Sequence, residues 1–289
     1  MSNWAFGSLL DRVDEQREQP EWVAGLWHDD ARVLQVGERG TLPLTAEGAL
    51  RLIPVSGAYD PQRHFLLGVR DGVPVFAEQA VLDEDAKPLI FLGHLLDDAD
   101  REVAIVATAL LAWHAAEQHC GRCGAVTESH RGGFSRYCTS CHCDHFPRHD
   151  PAVIVAVVDD DDRILLGHHV NWDEHRMSLL AGFVAVGESF EQAVHRELAE
   201  EADLTLDAVR YVGSQPWPFP RSLMVGFVAH SPTTHFRVDG REIIRAEWFT
   251  RDQVHARLAE ETLKLPGGWS IAHRIIQDWL AGRLPDPRT

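Results

Sequence analysis

The segment Gly182–Leu204 reads GFVAVGESFEQAVHRELAEEADL. It opens as a glycine loop, with Gly182 and Gly187, and enters a helix. Ser189 and Gln192 have capping-box spacing, which places Ser189 at the N-cap of a helix over Ser189–Ala202. Phe190, Ala193, Val194 and Leu198 recur at helical spacing and form its buried stripe. Glu197, Glu200 and Glu201 stand at i, i+3 and i+4 and share one sector. Like charges so clustered repel unless a cation joins them. Hard divalent ions such as Mg²⁺ or Mn²⁺ prefer carboxylate oxygens and also bind phosphates. Arg196, four residues before Glu200, can hold that carboxylate in place. The plainer alternative is a solvated acidic face, common in a chain with 44 acidic and 27 basic residues and a net charge of −17.

The order of residues argues for the metal. Gly182, five residues, Glu188, seven residues, then Arg196-Glu197-Leu198-Ala199-Glu200-Glu201 resembles the signature of the Nudix hydrolases. Where that family has a helix-ending glycine this chain has Asp203, one of the few other residue types that tolerate positive φ. The substitution is expected to cost a little stability and no activity.

Outward from this helix the texture is that of a mixed α/β domain. Ala152–Val158 is a continuous apolar, β-branched run, hence a buried strand; an acidic turn (Asp159–Asp162) and a second strand (Arg163–Gly167) follow. Further strands are expected near Leu223–Val228 and Ala246–Phe249, and a closing helix near Ile271–Ala281. Upstream, short apolar runs at Arg32–Val36, Ala49–Val55, His64–Val69, Val73–Ala77 and Leu89–Leu92, with a hairpin signal at Asp71-Gly72, give a small, mostly β domain. It closes with a helix from Asp97 to Glu117. The fold class is thus α/β, with residues 1–117 as an N-terminal domain, 118–147 as a cysteine-rich module and 148–289 as the hydrolase domain.

All five cysteines lie between Cys120 and Cys143. Cys120-Gly121-Arg122-Cys123 and Cys138-Thr139-Ser140-Cys141 are two C-x-x-C knuckles separated by 14 residues, which complete a closed tetrahedral Zn²⁺ site. Redox thiols are the alternative, and they would not need two matched pairs. Cys143 could replace Cys141, but symmetry favours Cys141. A site closed by four cysteines holds structure rather than reacting.

Downstream stands Ser214-Gln215-Pro216-Trp217-Pro218-Phe219-Pro220-Arg221-Ser222. Its prolines make it stiff, extended and unsuited to a central strand. Trp217 and Phe219 either pack a core, which composition favours, or shape a planar slot. The string resembles the SQPWPFPxS motif of the NADH pyrophosphatase (NudC-type) Nudix family, and the resemblance runs from about Cys120 to the C-terminus. It implies a Nudix α/β/α sandwich preceded by a zinc ribbon, hydrolysis of NAD(H) to nicotinamide mononucleotide and AMP, removal of NAD caps from RNA 5′ ends, and a homodimer. It also implies metal ligation by Glu197, Glu201, Glu242 and the carbonyl of Ala181. Substrate binding would fall on Gln215, Pro216, Trp217, Pro218, Phe219, Pro220, Arg221 and Ser222, and on Ala272. Phe146 stands where the family often has tyrosine and keeps a stacking face without the hydroxyl. A family substrate-contact acid corresponds by spacing to Gly133, so that contact is expected to be absent.

In the resulting mechanism two or three Mg²⁺ or Mn²⁺ ions, held by Glu197, Glu200, Glu201 and Glu242, offset the charge of the pyrophosphate while a water attacks phosphorus. Glu201 is the first choice for the water-positioning carboxylate, with Arg196 as its helix neighbour. The histidines, among them His145, His149, His168, His169 and His195, lack ligand spacing to the glutamates and read as surface or packing residues. A nucleotide-sensing regulator and a hydrolase of other nucleoside diphosphate compounds, such as ADP-ribose, are the competing functions. The intact glutamates oppose the first and the proline-aromatic string the second. The acidic balance opposes general DNA binding. The longest apolar stretch, Val103–Trp113, is too short to span a membrane, which needs about 20 residues. Met1-Ser2-Asn3-Trp4 shows no secretory pattern. A cytoplasmic location follows as an expectation.

Overall fold

The structure, a computed structural model, describes residues 7–289, so the reading made on Met1–Trp4 falls outside it. The described chain forms two units, one from residues 7–149 with 218–221 and one from 150–217 with 222–289.

In the N-terminal unit, α1 (Pro20–Gly25) precedes β1 (Arg32–Val36), β2 (Thr41–Leu42), β3 (Leu52–Pro54), β4 (Phe65–Arg70), β5 (Val73–Gln79), β6 (Lys87–Pro88), α2 (Leu89–Leu92) and α3 (Asp98–Ala116). The main sheet has the order β3-β1-β5-β4, with β1 parallel to β5. Asp71 and Gly72, both at positive φ (51° and 80°), turn β4 into β5 as a two-residue hairpin requires. Asp97 caps α3, its side chain accepting from the amide of Asp100 at 2.7 Å. The run Leu89–Leu92 corrects the all-strand reading of this region: it is one turn of helix. Leu89 and Leu92 bury at i and i+3 while Ile90 and Phe91 stay exposed, a period that four apolar residues in a row conceal.

The cysteine segment adds a three-stranded antiparallel sheet, β7 (Thr127–His130), β8 (Ser135–Cys138) and β9 (Asp144–His145). Gly132 and Gly133, at φ 60° and 100°, turn β7 into β8. A Cβ on Gly133 would meet the Phe65 side chain at 2.8 Å, so this position packs as a bare backbone turn.

The second unit contains β10 (Asp150–Val158), β11 (Ile164–His169), β12 (Leu180–Phe183), α4 (Phe190–Ala202), β13 (Ala208–Trp217), β14 (Ser222–His230), β15 (Ile243–Phe249), α5 (Arg251–Ala259) and α6 (Ile271–Leu280). The sheet order is β13-β14-β10-β11-β15, and β12 also pairs with β10. β10 is buried on both faces, which is why its sequence is an unbroken apolar run. Val153, Val155 and Val157 join Ala193, Val194 and Leu198 of α4 in one core. Ile154, Ala156 and Val158 join Ile271, Ile275 and Trp279 of α6 in the other. Two helical layers thus sandwich a mixed sheet. β13 is its edge strand, which is where a proline-bearing segment can be accommodated. Neither β12 nor α5 was expected; α5 buries one apolar residue, Val254, and so carries almost no stripe. Among the described residues no helix is long and apolar enough to cross a membrane.

Candidate active site

α4 begins with a complete capping box. The hydroxyl of Ser189 accepts from the Gln192 amide (3.1 Å), and the Gln192 side chain accepts from the Ser189 amide (2.8 Å). It ends at Asp203, whose φ of 55° is left-handed, the conformation the sequence demands at that position. The helix is therefore fixed at both ends, and the carboxylates it carries are fixed with it.

Arg196 is the centre of this face. Its guanidinium donates to Glu188 (2.6 and 2.8 Å), Glu197 (2.8 Å), Glu200 (3.0 Å) and the carbonyl of Phe183 (2.9 Å). These bonds raise the Arg196 pKa above its ordinary value, Glu188 foremost. In turn Arg196, helped by the amide of Ala185 (2.9 Å), holds the Glu188 carboxyl down to about 2. Glu188 therefore anchors the glycine loop to α4 as a permanent anion.

Gly182 on β12 makes room for Glu197. A Cβ there would lie 1.9 Å from Cδ of Glu197, so any side chain displaces that carboxylate. Gly182→Ala is expected to lower kcat about tenfold or more with little change in melting temperature, since Glu197 can swing outward. Steady-state rates alongside thermal melts check this, and a wild-type rate would remove Glu197 from the reacting face.

Glu201 has the most unusual environment. It is 7% exposed, and among the described residues its Oε2 has no hydrogen-bond partner. Burial pushes its carboxyl up to about 8, and the charges of Glu197, Glu242, Asp239 and Glu200 push the same way. A buried carboxylate with an orphan oxygen among four other carboxylates is a poor arrangement by itself. It suits a hard cation: the side chains of Glu197, Glu200, Glu201 and Glu242 and the carbonyl of Ala181 are all oxygen donors, the set Mg²⁺ or Mn²⁺ prefers.

Asp239 escaped the sequence reading, although the Asp239-Gly240 turn three residues before Glu242 is a visible signal. Its amide donates to the Glu201 carbonyl (3.2 Å), and its carboxylate accepts from the amides of Glu242 (3.1 Å) and Ile243 (2.9 Å). It thus ties the Glu242 loop to the end of α4. Burial raises its pKa, but the backbone donors outweigh that and leave it low.

The proline-aromatic string divides between the units. Ser214–Trp217 completes β13, while Pro218–Arg221 belongs to the N-terminal unit, as does the half-exposed Phe146. Gln215 is fully buried: its amide donates to the Trp269 carbonyl (2.9 Å) and accepts from the Ile271 amide (2.6 Å). It therefore holds the start of α6, and with it the buried Ala272. Trp217 packs on Trp269 with ring centroids 4.7 Å apart. Ser222 is buried opposite Trp217 in the β13–β14 register. Arg221 lies 3.9 Å from Glu117.

In the cysteine module the four sulfurs of Cys120, Cys123, Cys138 and Cys141 lie within 4.8 Å of one another, and none of the four is in a disulfide. Four thiolates at 2.3 Å from a tetrahedral Zn²⁺ stand about 3.8 Å apart, so the cluster fits that ion. Cys143 lies outside the four, 3.4 Å from an Arg122 nitrogen. His145, read as surface or packing, touches the cluster through its Nε2, 3.3 Å from the Cys120 sulfur.

A NUDIX domain is matched over residues 148–266. The chain is 43% identical, over an alignment of 291 positions, to the NAD-capped RNA hydrolase NudC of Mycobacterium bovis (strain BCG / Pasteur 1173P2), covering 94% of this chain and 92% of that protein. It is 42% identical with the same coverage to NudC of Mycobacterium tuberculosis (strain ATCC 25618 / H37Rv). To the human NAD-capped RNA hydrolase NUDT12 it is 38% identical over 200 positions, 64% of this chain and 43% of that protein. With a carboxylate helix of this geometry and likeness along nearly its whole length, the chain belongs to the NudC-type family of Nudix hydrolases.

Proposed function

We propose that the chain hydrolyses the pyrophosphate of NAD(H) to nicotinamide mononucleotide and AMP, and removes NAD caps from RNA 5′ ends by the same cleavage. The observation that carries the chemistry is Glu201, buried and with an unpaired oxygen among acidic neighbours. The substrate comes from the full-length likeness to NAD-capped RNA hydrolases.

Two or three Mg²⁺ or Mn²⁺ ions at Glu197, Glu200, Glu201, Glu242 and the Ala181 carbonyl would offset the diphosphate charge and make a water more acidic. Arg196 keeps Glu197 and Glu200 aimed together, and Gly182 gives Glu197 its place. Glu201 positions the attacking water. One P–O bond forms to that water and the bridging P–O bond breaks, the electron pair leaving on the departing phosphate oxygen. Gln215, through α6, fixes the substrate wall that contains Ala272. The wider reading comprises a homodimer, a cytoplasmic location, one structural Zn²⁺ on the four cysteines, and three parts spanning 1–117, 118–147 and 148–289.

The test is a comparison of rates on NADH, NAD⁺, ADP-ribose and NAD-capped RNA, each with Mg²⁺ and Mn²⁺. Preference for ADP-ribose would overturn the substrate assignment. Within it, Gln215→Ala and Ser222→Ala are expected to lower kcat/KM for NADH about tenfold, or about 1.4 kcal/mol. The loss on ADP-ribose, which lacks the nicotinamide half, is expected to be smaller. Gln215→Ala also leaves the buried Ile271 amide without its acceptor, at about 1–3 kcal/mol, so it should melt several degrees lower. Equal losses on both substrates would make the string purely structural.

A further inference from the structure

The chain carries a net charge of −17, which repels a long polyanion, yet one wall of the second unit is positive. Arg210, Tyr211 and Val212 of β13, Arg274, Ile275 and Asp278 of α6, and Arg283 with Leu284 and Pro285 beyond it line a cleft of about 290 Å³. Arg283 is paired with Asp278 at 2.6 Å. Arg210 donates to the Asp286 carbonyl (3.2 Å) and the Thr289 hydroxyl (3.4 Å), and Arg274 to the Val212 carbonyl (3.3 Å). Among the described residues neither has a carboxylate partner, whereas guanidiniums such as Arg12, Arg70, Arg163, Arg196, Arg251 and Arg257 are all paired. Tyr211 is 56% exposed on the other side of the edge strand: it pairs in register with Phe227 of the α4-side core, its ring edge-on to that buried ring at 6.0 Å, whereas Arg210 pairs with Val228 of the α6-side core.

The cleft is continuous with the substrate segment. Gln215 grips the start of α6 at Ile271, Arg274 reaches Val212 one turn on, and Asp278 stands near Arg210 and Tyr211 another turn on. α6 therefore runs beside the edge strand β13, away from Gln215. At about 3.3 Å per strand residue, Arg210 lies roughly 17 Å from Gln215. Two guanidiniums without carboxylate partners on one side of the edge strand, and an exposed, braced aromatic ring on the other, suit a single-stranded nucleic acid passing over that edge: phosphates on the cations, a base on the ring.

We propose that the β13–α6 edge, through Arg210, Tyr211 and Arg274, binds the RNA body of a 5′-capped RNA whose cap sits at the Gln215 end. This rests on the cap-hydrolysis reading, and its test separates the two. Binding of a fluorescent single-stranded RNA of about 20 nucleotides with a 5′-phosphate is measured by anisotropy. Full-length wild type, Arg210→Ala/Tyr211→Ala and Arg210→Glu are compared across a salt series, with NADH hydrolysis, melting temperature and sedimentation measured on each. The double variant is expected to bind RNA about tenfold more weakly and Arg210→Glu more weakly still. The slope of log K on log salt should shrink by about 0.7 for each lost phosphate contact. NADH kcat/KM should stay within twofold. Unchanged RNA affinity, no binding by wild type, or a shift in oligomeric state in place of RNA affinity overturns the track. Loss of NADH and capped-RNA hydrolysis in wild type itself would sink the activity and leave the binding result standing.

Discussion

Replacing Glu201 by glutamine is expected to lower kcat on NADH about a hundredfold or more while the fold persists, the scale for removing a central electrostatic group. The change preserves shape but removes the buried charge. The same substitution has an opposite effect on stability without divalent ions. In the folded chain burial and acidic neighbours raise the Glu201 carboxyl to about 8, from an ordinary value of 4.5. Below pH 4.5 both folded and unfolded states hold the proton, so the group is neutral to stability. Between 4.5 and 8 the folded state binds more protons than the unfolded one, so stability falls as pH rises. Above 8 the full penalty applies, a few kcal/mol at about 1.4 kcal/mol per unit. In EDTA, Glu201→Gln should therefore melt several degrees above wild type at pH 9 and level with it at pH 4. Mg²⁺ should raise the wild-type melting temperature and leave the variant nearly unmoved. A variant within about threefold of wild-type rate, under about 0.7 kcal/mol, would remove Glu201 from the chemistry. Equal melting at pH 9 would remove its buried charge.

That opposition shows what the sequence could and could not convey. Spacing alone put Glu197, Glu200 and Glu201 on one sector beside Arg196, because the 3.6-residue period is local. The conformation of Asp203 was also legible, since a left-handed helix end restricts residue type. Burial is not local. Nothing in the string GFVAVGESFEQAVHRELAEEADL says that Glu201 lies at 7% exposure while Glu200, next to it, is open to solvent. That depends on the 237–242 loop folding over the end of α4, which also explains why Asp239 went unseen. Gln215 makes the same point. Its place in a proline-rich, extended segment was readable, but its two bonds to Trp269 and Ile271 span more than 50 residues. α2 and α5 were missed because short or polar helices carry no stripe.

The other large effect concerns the four cysteines. Zinc is expected at one ion per chain, surviving EDTA washes that strip Mg²⁺, because a four-thiolate site has no open position. Cys138→Ser should remove it and lower the melting temperature by at least about 10 °C, since structural zinc binding is folding free energy. The reach of that loss follows from what Cys138 is attached to. It ends β8, two residues after Arg136, a buried arginine. Arg136 donates to the Thr127 hydroxyl (2.7 Å), the Thr127 carbonyl (2.5 Å) and Nδ1 of His114 (2.8 Å) on α3. Arginine has only donors, so Nδ1 must accept, and the proton sits on Nε2, which donates to the Gly133 carbonyl at 2.8 Å. Burial pushes His114 down to about 4, which keeps it neutral and this bonding pattern intact at neutral pH. The same ring stacks on Phe65 of β4, 3.9 Å away. Ribbon, α3 and β4 thus share one buried network, and loosening β8 leaves Arg136 and His114 unpaired inside it. The N-terminal unit should therefore unfold with the ribbon in Cys138→Ser, seen as lost amide protection across both in hydrogen exchange. The rate per molecule whose N-terminal unit is still folded should stay within about threefold, because no carboxylate of α4 belongs to this network. Freshly purified, unchelated protein without zinc by elemental analysis would sink the zinc assignment. Protection lost in the ribbon alone would show that the His114–Arg136 link does not couple it to α3.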